Sequence, residues 1–217
     1  MAERKHADLP GKDRKRFRIL FFGDSNTYGY DPSVIFGGRY AAEIRWTDRL
    51  AEQLGDDWEI LAYGLNGRCI PDLRYEKAYL EQMLENAGPV GLFAVMLGTN
   101  DVILTPRPDA GKAVRKMEEF LTWLKGTQPF PILLVAPPAM DRRAADIPEQ
   151  AAYVRETAAL AEQYKELARK QDVLFADADS WRISLAHDAV HFSEAGHRRF
   201  ADEMQSLLES LHAAGKL

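Results

Sequence analysis

The sequence has little of what marks a disulfide-stabilised or membrane-spanning protein. Cys69 is its single cysteine in 217 residues, so no internal disulfide and no cysteine-based zinc site are expected. The longest nearly uncharged apolar run, residues 90–97, is too short for a hydrocarbon layer of ~30 Å. No apolar segment follows the N-terminal methionine, so no signal peptide is expected. These absences favour a cytoplasmic protein without a membrane partner.

Basic charge is scarce in most of the chain. The sequence has 28 Lys and Arg against 33 Asp and Glu, and seven of the basic residues lie in the first 18 positions. The rest of the chain is therefore acidic, whereas a nucleic-acid-binding domain usually carries a basic face. We expect no nucleic-acid partner. We also expect residues 1–15 to form a mobile polar tail, and residues 16–217 to form one domain.

Short apolar runs alternate with longer amphipathic segments after the tail. Five runs rich in Ile, Val, Leu and Phe are predicted to be strands buried on both faces: residues 17–22, 58–63, 90–97, 131–136 and 173–176. Helical spacing of apolar residues predicts helices within five other segments: 46–54, 76–84, 114–124, 153–168 and 200–211. This alternation predicts an α/β fold, a three-layer α/β/α sandwich with a five-stranded parallel sheet.

Polar residues and glycines follow the predicted strands, where folds of this kind bind their ligands. Ser25 lies on a glycine-flanked turn after the first strand, a position that suits a nucleophile. Gly64 follows the second strand, and Asn100, whose amide is an uncharged hydrogen-bond donor, follows the third. Taken alone, each loop is better explained as an ordinary turn or helix cap.

His191 and Asp188 follow the fifth predicted strand. Histidine has an ordinary pKa near neutrality, which suits a general base, and an aspartate three residues upstream can bond one ring nitrogen. If the first strand lies between the second and third, Gly64 and Asn100 flank Ser25. The loop before His191 is long enough to reach them. Together, the four loops predict an acyl-transfer site.

Four ordered blocks resemble the SGNH hydrolases, also called the GDSL lipase/esterase family. The blocks are Gly-Asp-Ser at 23–25, with Asn26 where the name motif has leucine, Gly64, Gly-Thr-Asn-Asp at 98–101, and Asp-x-x-His at 188–191. The resemblance covers nearly all of the chain after the tail. It implies the SGNH hydrolase fold, with its five parallel strands in flavodoxin-like order.

The resemblance also implies a two-step acyl transfer that needs no metal or organic cofactor. Ser25 would attack an ester carbonyl, His191 would take its proton, and Asp188 would hold the imidazole. The backbone N–H groups of Ser25 and Gly64 and the side chain of Asn100 would bind the oxyanion. The partner is then a small-molecule carboxylic ester, with acetylated carbohydrates and lysophospholipids as alternatives. Self-association, which similar enzymes often show, stays open.

Residues 45–47 and 64–68 are most similar to the bacterial arylesterase-like branch, some of whose members are acyltransferases. Asn26, Tyr28 and Trp46 are candidate substrate-pocket residues, although the two aromatic residues are equally well explained by packing. No long apolar lid is visible, so short acyl groups are favoured.

Three other classes of function stay open at this stage. Hydroxyl groups after the first strand could cradle a phosphate, as in a flavodoxin-like module that binds flavin. Asp24, Asp101, Asp188 and His191 could together hold a divalent metal in a phosphoesterase. A non-catalytic interaction domain is the third.

Two further histidines compete with His191 for the role of base. His187 fails the Asp-x-x-His spacing, and His197 falls within the last helical pattern, where burial is expected.

Overall fold

The computed structural model describes residues 16–217, so the predicted tail at residues 1–15 lies outside the described residues. Five parallel strands form the central sheet. They are β1 (Phe17–Gly23), β4 (Trp58–Gly64), β5 (Leu92–Met96), β6 (Ile132–Ala136) and β7 (Leu174–Asp177). Their order in the sheet is β4-β1-β5-β6-β7. The prediction of a five-stranded parallel sheet in flavodoxin-like order is confirmed. A small antiparallel pair, β2 (Tyr30–Asp31) and β3 (Gly38–Arg39), was not predicted.

Helices connect the strands and cover both faces of the sheet. They are α1 (Ser25–Tyr28), α2 (Trp46–Leu54), α3 (Arg74–Ala87), α4 (Thr99–Ile103), α5 (Ala110–Thr127), α6 (Pro148–Gln171) and α7 (Glu194–Ala213), with a 3-10 turn at Arg142–Asp146. Proline stands at the first position of α6, where its missing N–H costs nothing. Ser193 caps α7 by accepting a hydrogen bond from the Gly196 N–H at 3.1 Å.

The core is divided into two parts by the sheet, because successive strand side chains point to opposite faces. On one face, Leu20 and Phe22 of β1 pack into a cluster with residues of α3, α5 and α6. On the other face, Ile19 and Phe21 pack with residues of α2 and α7. The strands are therefore buried on both sides, and this explains why they read as unbroken apolar runs.

The strand order brings the predicted site loops to one edge of the sheet. β1 is the neighbour of both β4 and β5, and Gly23 at its end lies in register with Gly64 and Met96. The loop of residues 178–193 returns from β7, three strands away. A short bridge between Leu185 and Phe192 holds its two arms together.

No helix within residues 16–217 combines the length and the apolar character needed to cross a membrane.

Candidate active site

Ser25 is the first residue of α1, directly after the β1 strand. Asp24 caps this one-turn helix, since its Oδ1 accepts the Asn26 N–H at 2.9 Å. Gly29 ends the helix with φ = 83°, a left-handed conformation that favours glycine. The hydroxyl of the candidate nucleophile is thus held at the junction of strand and helix.

The Ser25 hydroxyl is joined to a histidine and a carboxylate. Ser25 Oγ lies 2.9 Å from His191 Nε2, and His191 Nδ1 lies 2.6 Å from Asp188 Oδ2. A carboxylate only accepts hydrogen bonds, so Nδ1 carries the proton and Nε2 is left to accept from the hydroxyl. The structure therefore brings the three predicted residues into one hydrogen-bonded chain, although they are up to 166 positions apart in sequence.

Asp188 is held as a carboxylate by its surroundings. Burial alone would raise its pKa, but hydrogen bonds from the His191 ring and from the backbone N–H groups of His191 and Val190 outweigh burial. They lower the pKa of Asp188 to about 2. Its Oδ1 accepts the N–H of Val190 at 3.1 Å and that of His191 at 3.0 Å. Asp188 can therefore orient the imidazole and stabilise its charged form.

Tyr30 contacts the histidine ring and was missed by the sequence analysis. Its ring centroid lies 4.6 Å from that of His191, with 48° between the planes. The β2 strand that carries Tyr30 has two residues, too few for a period-two pattern to reveal it.

Gly64 lies where a side chain has no room. A Cβ at this position would be 2.1 Å from the Tyr28 nitrogen and 2.5 Å from the Thr27 carbonyl carbon. These are backbone atoms of α1, so they cannot move aside as a flexible side chain would. The close approach of Gly64 to α1 keeps the ends of β1 and β4 together beside Ser25.

Asn100 lies in α4 and is buried. Its Nδ2 donates to the Arg68 carbonyl at 3.0 Å, which uses one of the two amide hydrogens. The neighbouring Asp101 accepts the Ile70 N–H at 3.0 Å and is joined to Lys116 at 3.3 Å. The α4 helix is therefore fastened to the loop that follows β4.

Arg68 links β1 and β4 at their carboxyl ends. Its Nη1 donates to the Gly23 carbonyl at 2.8 Å and to the Tyr63 carbonyl, and its Cζ lies 4.1 Å from the centre of the Phe22 ring. Burial lowers the pKa of Arg68 to about 10, with small opposing effects from neighbouring groups. The guanidinium is therefore still charged at neutral pH and holds the loop after β4 against β1.

Asp24 is buried beneath the site. Burial raises its pKa to about 6, against the opposing effects of its hydrogen bond from Asn26 and of the nearby His191 and Arg68. Its role in the structure is to cap α1.

Within the described part of the chain, no three His, Cys, Asp or Glu residues are grouped as a metal ion requires.

The three candidate pocket residues differ in their burial and in their contacts, and their role in binding substrate stays a prediction. Trp46 is 1% exposed and packs its ring against Phe21 at 4.9 Å. Asn26 is 5% exposed, and its side chain is hydrogen-bonded to the loop that carries His191. Tyr28 is half-buried beside the guanidinium of Arg39.

Within the residues that the structure describes, neither of the two competing histidines is hydrogen-bonded to the Ser25 hydroxyl, which lies against His191. His197 is completely buried, its Nδ1 accepts the Trp46 N–H at 3.4 Å, and its Nε2 has no hydrogen-bond partner among the described residues. His187 is exposed and lines a cavity together with Asp188 and Ala189.

Comparison with known proteins gives the family. The model of the GDSL-like lipase/acylhydrolase family matches residues 21–199. The native aryl esterase of M. smegmatis is 30% identical, with 90% of this chain and 99% of that chain covered at a TM-score of 0.75. Est24, a carbohydrate acetylesterase from Sinorhizobium meliloti, is 28% identical, with 91% and 100% covered at a TM-score of 0.75. No curated protein sequence matches this chain.

The family match extends from β1 into α7, and so includes the strand-end loops described above. The chain belongs to the GDSL-like lipase/acylhydrolase family and is a carboxylic ester hydrolase.

Proposed function

We propose that the protein hydrolyses small carboxylic esters through an acyl-enzyme on Ser25. The observation that carries the proposal is the chain of short contacts from Ser25 Oγ to His191 Nε2 at 2.9 Å and from His191 Nδ1 to Asp188 at 2.6 Å. Nucleophile and base lie within hydrogen-bond reach, and a third group orients the base.

In the first step, Ser25 Oγ forms a bond to the ester carbonyl carbon as His191 Nε2 takes the hydroxyl proton. The carbonyl oxygen becomes an oxyanion, and Asp188 stabilises the imidazolium that forms. The carbon–oxygen bond to the alcohol then breaks. The same Nε2 returns the proton to the leaving oxygen, so that a neutral alcohol departs and the acyl group stays on Ser25.

Three donors are proposed to bind the oxyanion: the backbone N–H groups of Ser25 and Gly64 and the side chain of Asn100. Ser25 lies at the N-terminus of α1, whose first N–H groups have no partner within the helix. The amide of Asn100 has a second hydrogen beyond the one given to Arg68. Neutral donors held in place in this way stabilise developing charge without titrating.

In the second step, water attacks the acyl-enzyme while His191 again acts as base, and a carboxylic acid is released. An alcohol in place of water would give a new ester, so acyl transfer is the same chemistry with another acceptor.

We propose a short acyl group and an aryl or other apolar alcohol as the substrate. Leu65, directly after Gly64, and Tyr75 and Tyr79 of α3 are exposed and line a cavity of about 400 Å³ beside the loop after β4. An apolar leaving group can lie against such a surface. The similarity to a carbohydrate acetylesterase also favours a short acyl group, and the similarity to an aryl esterase favours an aryl alcohol.

The test is hydrolysis of p-nitrophenyl esters from acetate to laurate, with chelator present, by wild type, Ser25→Ala and Ser206→Ala. Ser206 is an exposed serine of α7 and serves as the matched control. We expect turnover by wild type and the control, a preference for short chains, and only background for Ser25→Ala. Mass spectrometry of acid-quenched wild type should show one added acetyl group that Ser25→Ala lacks.

Activity retained by Ser25→Ala would show that the nucleophile is wrong. Loss of turnover with chelator, restored by a divalent metal, would show that the hydrolysis depends on a metal ion and would contradict the proposed mechanism. Faster release of acetate from acetylated xylose than from p-nitrophenyl acetate would favour a carbohydrate substrate.

A further inference from the structure

We propose that Asn26 is a positioning residue that holds His191 against Ser25. It joins α1, which carries the proposed nucleophile, to residues 190–192, which carry the proposed base. The inference rests on the proposed function, because it concerns how the base of that reaction is kept in place.

The side chain of Asn26 forms hydrogen bonds on both sides of His191. Its Oδ1 accepts the Phe192 N–H at 2.9 Å, and its Nδ2 donates to the Val190 carbonyl at 3.3 Å. One amide therefore uses its acceptor and one of its donors on the two residues that flank the histidine. On the other side of this backbone, Asp188 accepts the N–H groups of Val190 and His191.

Asn26 itself is held firmly. Its backbone N–H donates to Asp24 Oδ1 at 2.9 Å, and its carbonyl accepts from Trp46 Nε1 at 2.9 Å. Backbone and side chain are thus both bonded, and the residue is 5% exposed. A buried amide with these bonds has little freedom to turn, so it holds the loop that carries His191 at a fixed position relative to α1.

This connection matters because His191 is carried by a long loop rather than by a strand or helix. The loop begins after β7, three strands from β1, and His191 lies 166 positions from Ser25. Phe192 is completely buried and anchors the chain just after the histidine. The hydrogen bonds of Asn26 add a second anchor, which fastens the loop to the residue that directly follows Ser25.

Leucine at this position has a similar size and shape but neither donor nor acceptor. Asn26→Leu would therefore free the Val190 carbonyl and the Phe192 N–H and loosen the approach of His191. Displacement of a reacting group by 1 Å costs on the order of 100-fold in rate, so we expect kcat to fall by about 10- to 100-fold. KM should change by less than about threefold, because Asn26 does not contact the substrate in this proposal.

A second variant separates positioning from simple loss of stability. Asn26→Asp keeps an acceptor for the Phe192 N–H and loses the donor toward Val190, so kcat should fall less than in Asn26→Leu. An added carboxylate beside His191 favours the charged imidazole, so the acid limb of the kcat/KM profile should move to higher pH. A purely structural defect would not move that limb.

Two controls complete the design. Asn86→Leu makes the same change at an exposed position of α3 and should match wild type. Met117→Ala removes a completely buried side chain of α5, in the core cluster on the opposite face of the sheet from Trp46. It should lower the thermal midpoint without changing kcat at 25 °C.

The proposal is overturned if folded Asn26→Leu keeps the kcat of wild type. If Asn26→Leu does not fold, wild-type kcat in Asn26→Asp overturns it instead, whether or not the acid limb moves. Failure of the proposed function is a separate result, because that appears as activity in Ser25→Ala within the same assay.

Discussion

His197 should make the protein less stable in mild acid. Its ring is completely buried between Tyr40 and Phe192, with ring centroids 5.1 and 5.5 Å away. Burial is the main reason that its pKa is lowered from 6.5 to about 4. The positive charge of Arg45 acts in the same direction, and the charge of Asp31 opposes it. The folded protein therefore holds this imidazole in its neutral form over most of the pH range.

The sign of the effect on stability depends on whether the folded or the unfolded chain binds a proton at His197 at the higher pH. Between pH 6.5 and about 4, the unfolded chain protonates His197 whereas the folded chain does not. Lowering the pH through this window therefore favours unfolding. The stabilisation is fully present above pH 6.5 and is lost by about pH 4. The difference between the two pKa values corresponds to roughly 3 kcal/mol of unfolding free energy.

The measurement is urea unfolding of wild type and His197→Gln at pH 7, 5.5 and 4.5, followed by tryptophan fluorescence. Glutamine does not titrate in this range and keeps an acceptor for the Trp46 N–H. The difference in unfolding free energy between the two proteins should shift by roughly 2 to 3 kcal/mol in favour of the variant between pH 7 and 4.5. Asp24, whose pKa is raised to about 6, acts in the opposite sense but is present in both proteins and cancels.

His212→Gln is the control, because His212 is exposed near the end of α7. It should keep the pH dependence of wild type. Parallel pH dependences for wild type and His197→Gln would refute the argument that folding keeps His197 neutral.

Four further results are expected. In Gly64→Ala the new Cβ would lie 2.1 Å from the Tyr28 nitrogen, so α1 would have to move. This should lower the unfolding free energy measured with urea by roughly 1–3 kcal/mol and also lower kcat. Unchanged values of both would mean that the loop moves aside at little cost. Asn100→Ala should lower kcat by ~10²–10³ with little change in KM, because it removes one of the proposed oxyanion donors. Steady-state kinetics that show a change in KM alone would contradict this. Asp188→Asn should lower kcat by up to ~10⁴ while circular dichroism stays that of wild type, because an amide no longer selects the required tautomer. The unfolding free energy of Asp24→Asn, measured with urea, should rise by roughly 3 kcal/mol relative to that of wild type between pH 3.8 and 7. The wild-type protein loses stability over this range, because the unfolded chain releases the Asp24 proton near pH 3.8 and the folded chain only near pH 6. No gain would show that Asp24 is ionised at little cost.

The strands were well predicted because burial on both faces of the sheet requires a short, continuous apolar run in each strand. The run at residues 17–22 became β1, one residue longer, and the run at 90–97 was trimmed to Leu92–Met96. Helix α2 agrees with the predicted bounds. The helices α6 and α7 begin several residues before their apolar stripes, at Pro148 and Glu194. The first turn of α6 has no buried residue, and the first turn of α7 is buried through Gly196 and His197, which an apolar pattern does not mark.

The candidate site was predicted only in outline. Residues after the strand ends could be named, since parallel strands end at one edge of the sheet. The contacts of Asn26 and Trp46 could not be predicted, because a polar residue after a candidate nucleophile and an aromatic residue at a helix start have many uses. Tyr30 gave no signal at all, as its contact with His191 depends on a two-residue strand.

By itself, the sequence determined the layers of the fold and the kinds of side chain at each strand end, because hydrophobic periodicity records the burial of each element locally. The tertiary structure decided which of those side chains meet. The 2.9 Å approach of Ser25 to His191, and the bridge from Asn26 to Val190 and Phe192, join positions more than 160 residues apart. Such contacts depend on how a long loop packs back across the sheet, and no local pattern encodes that.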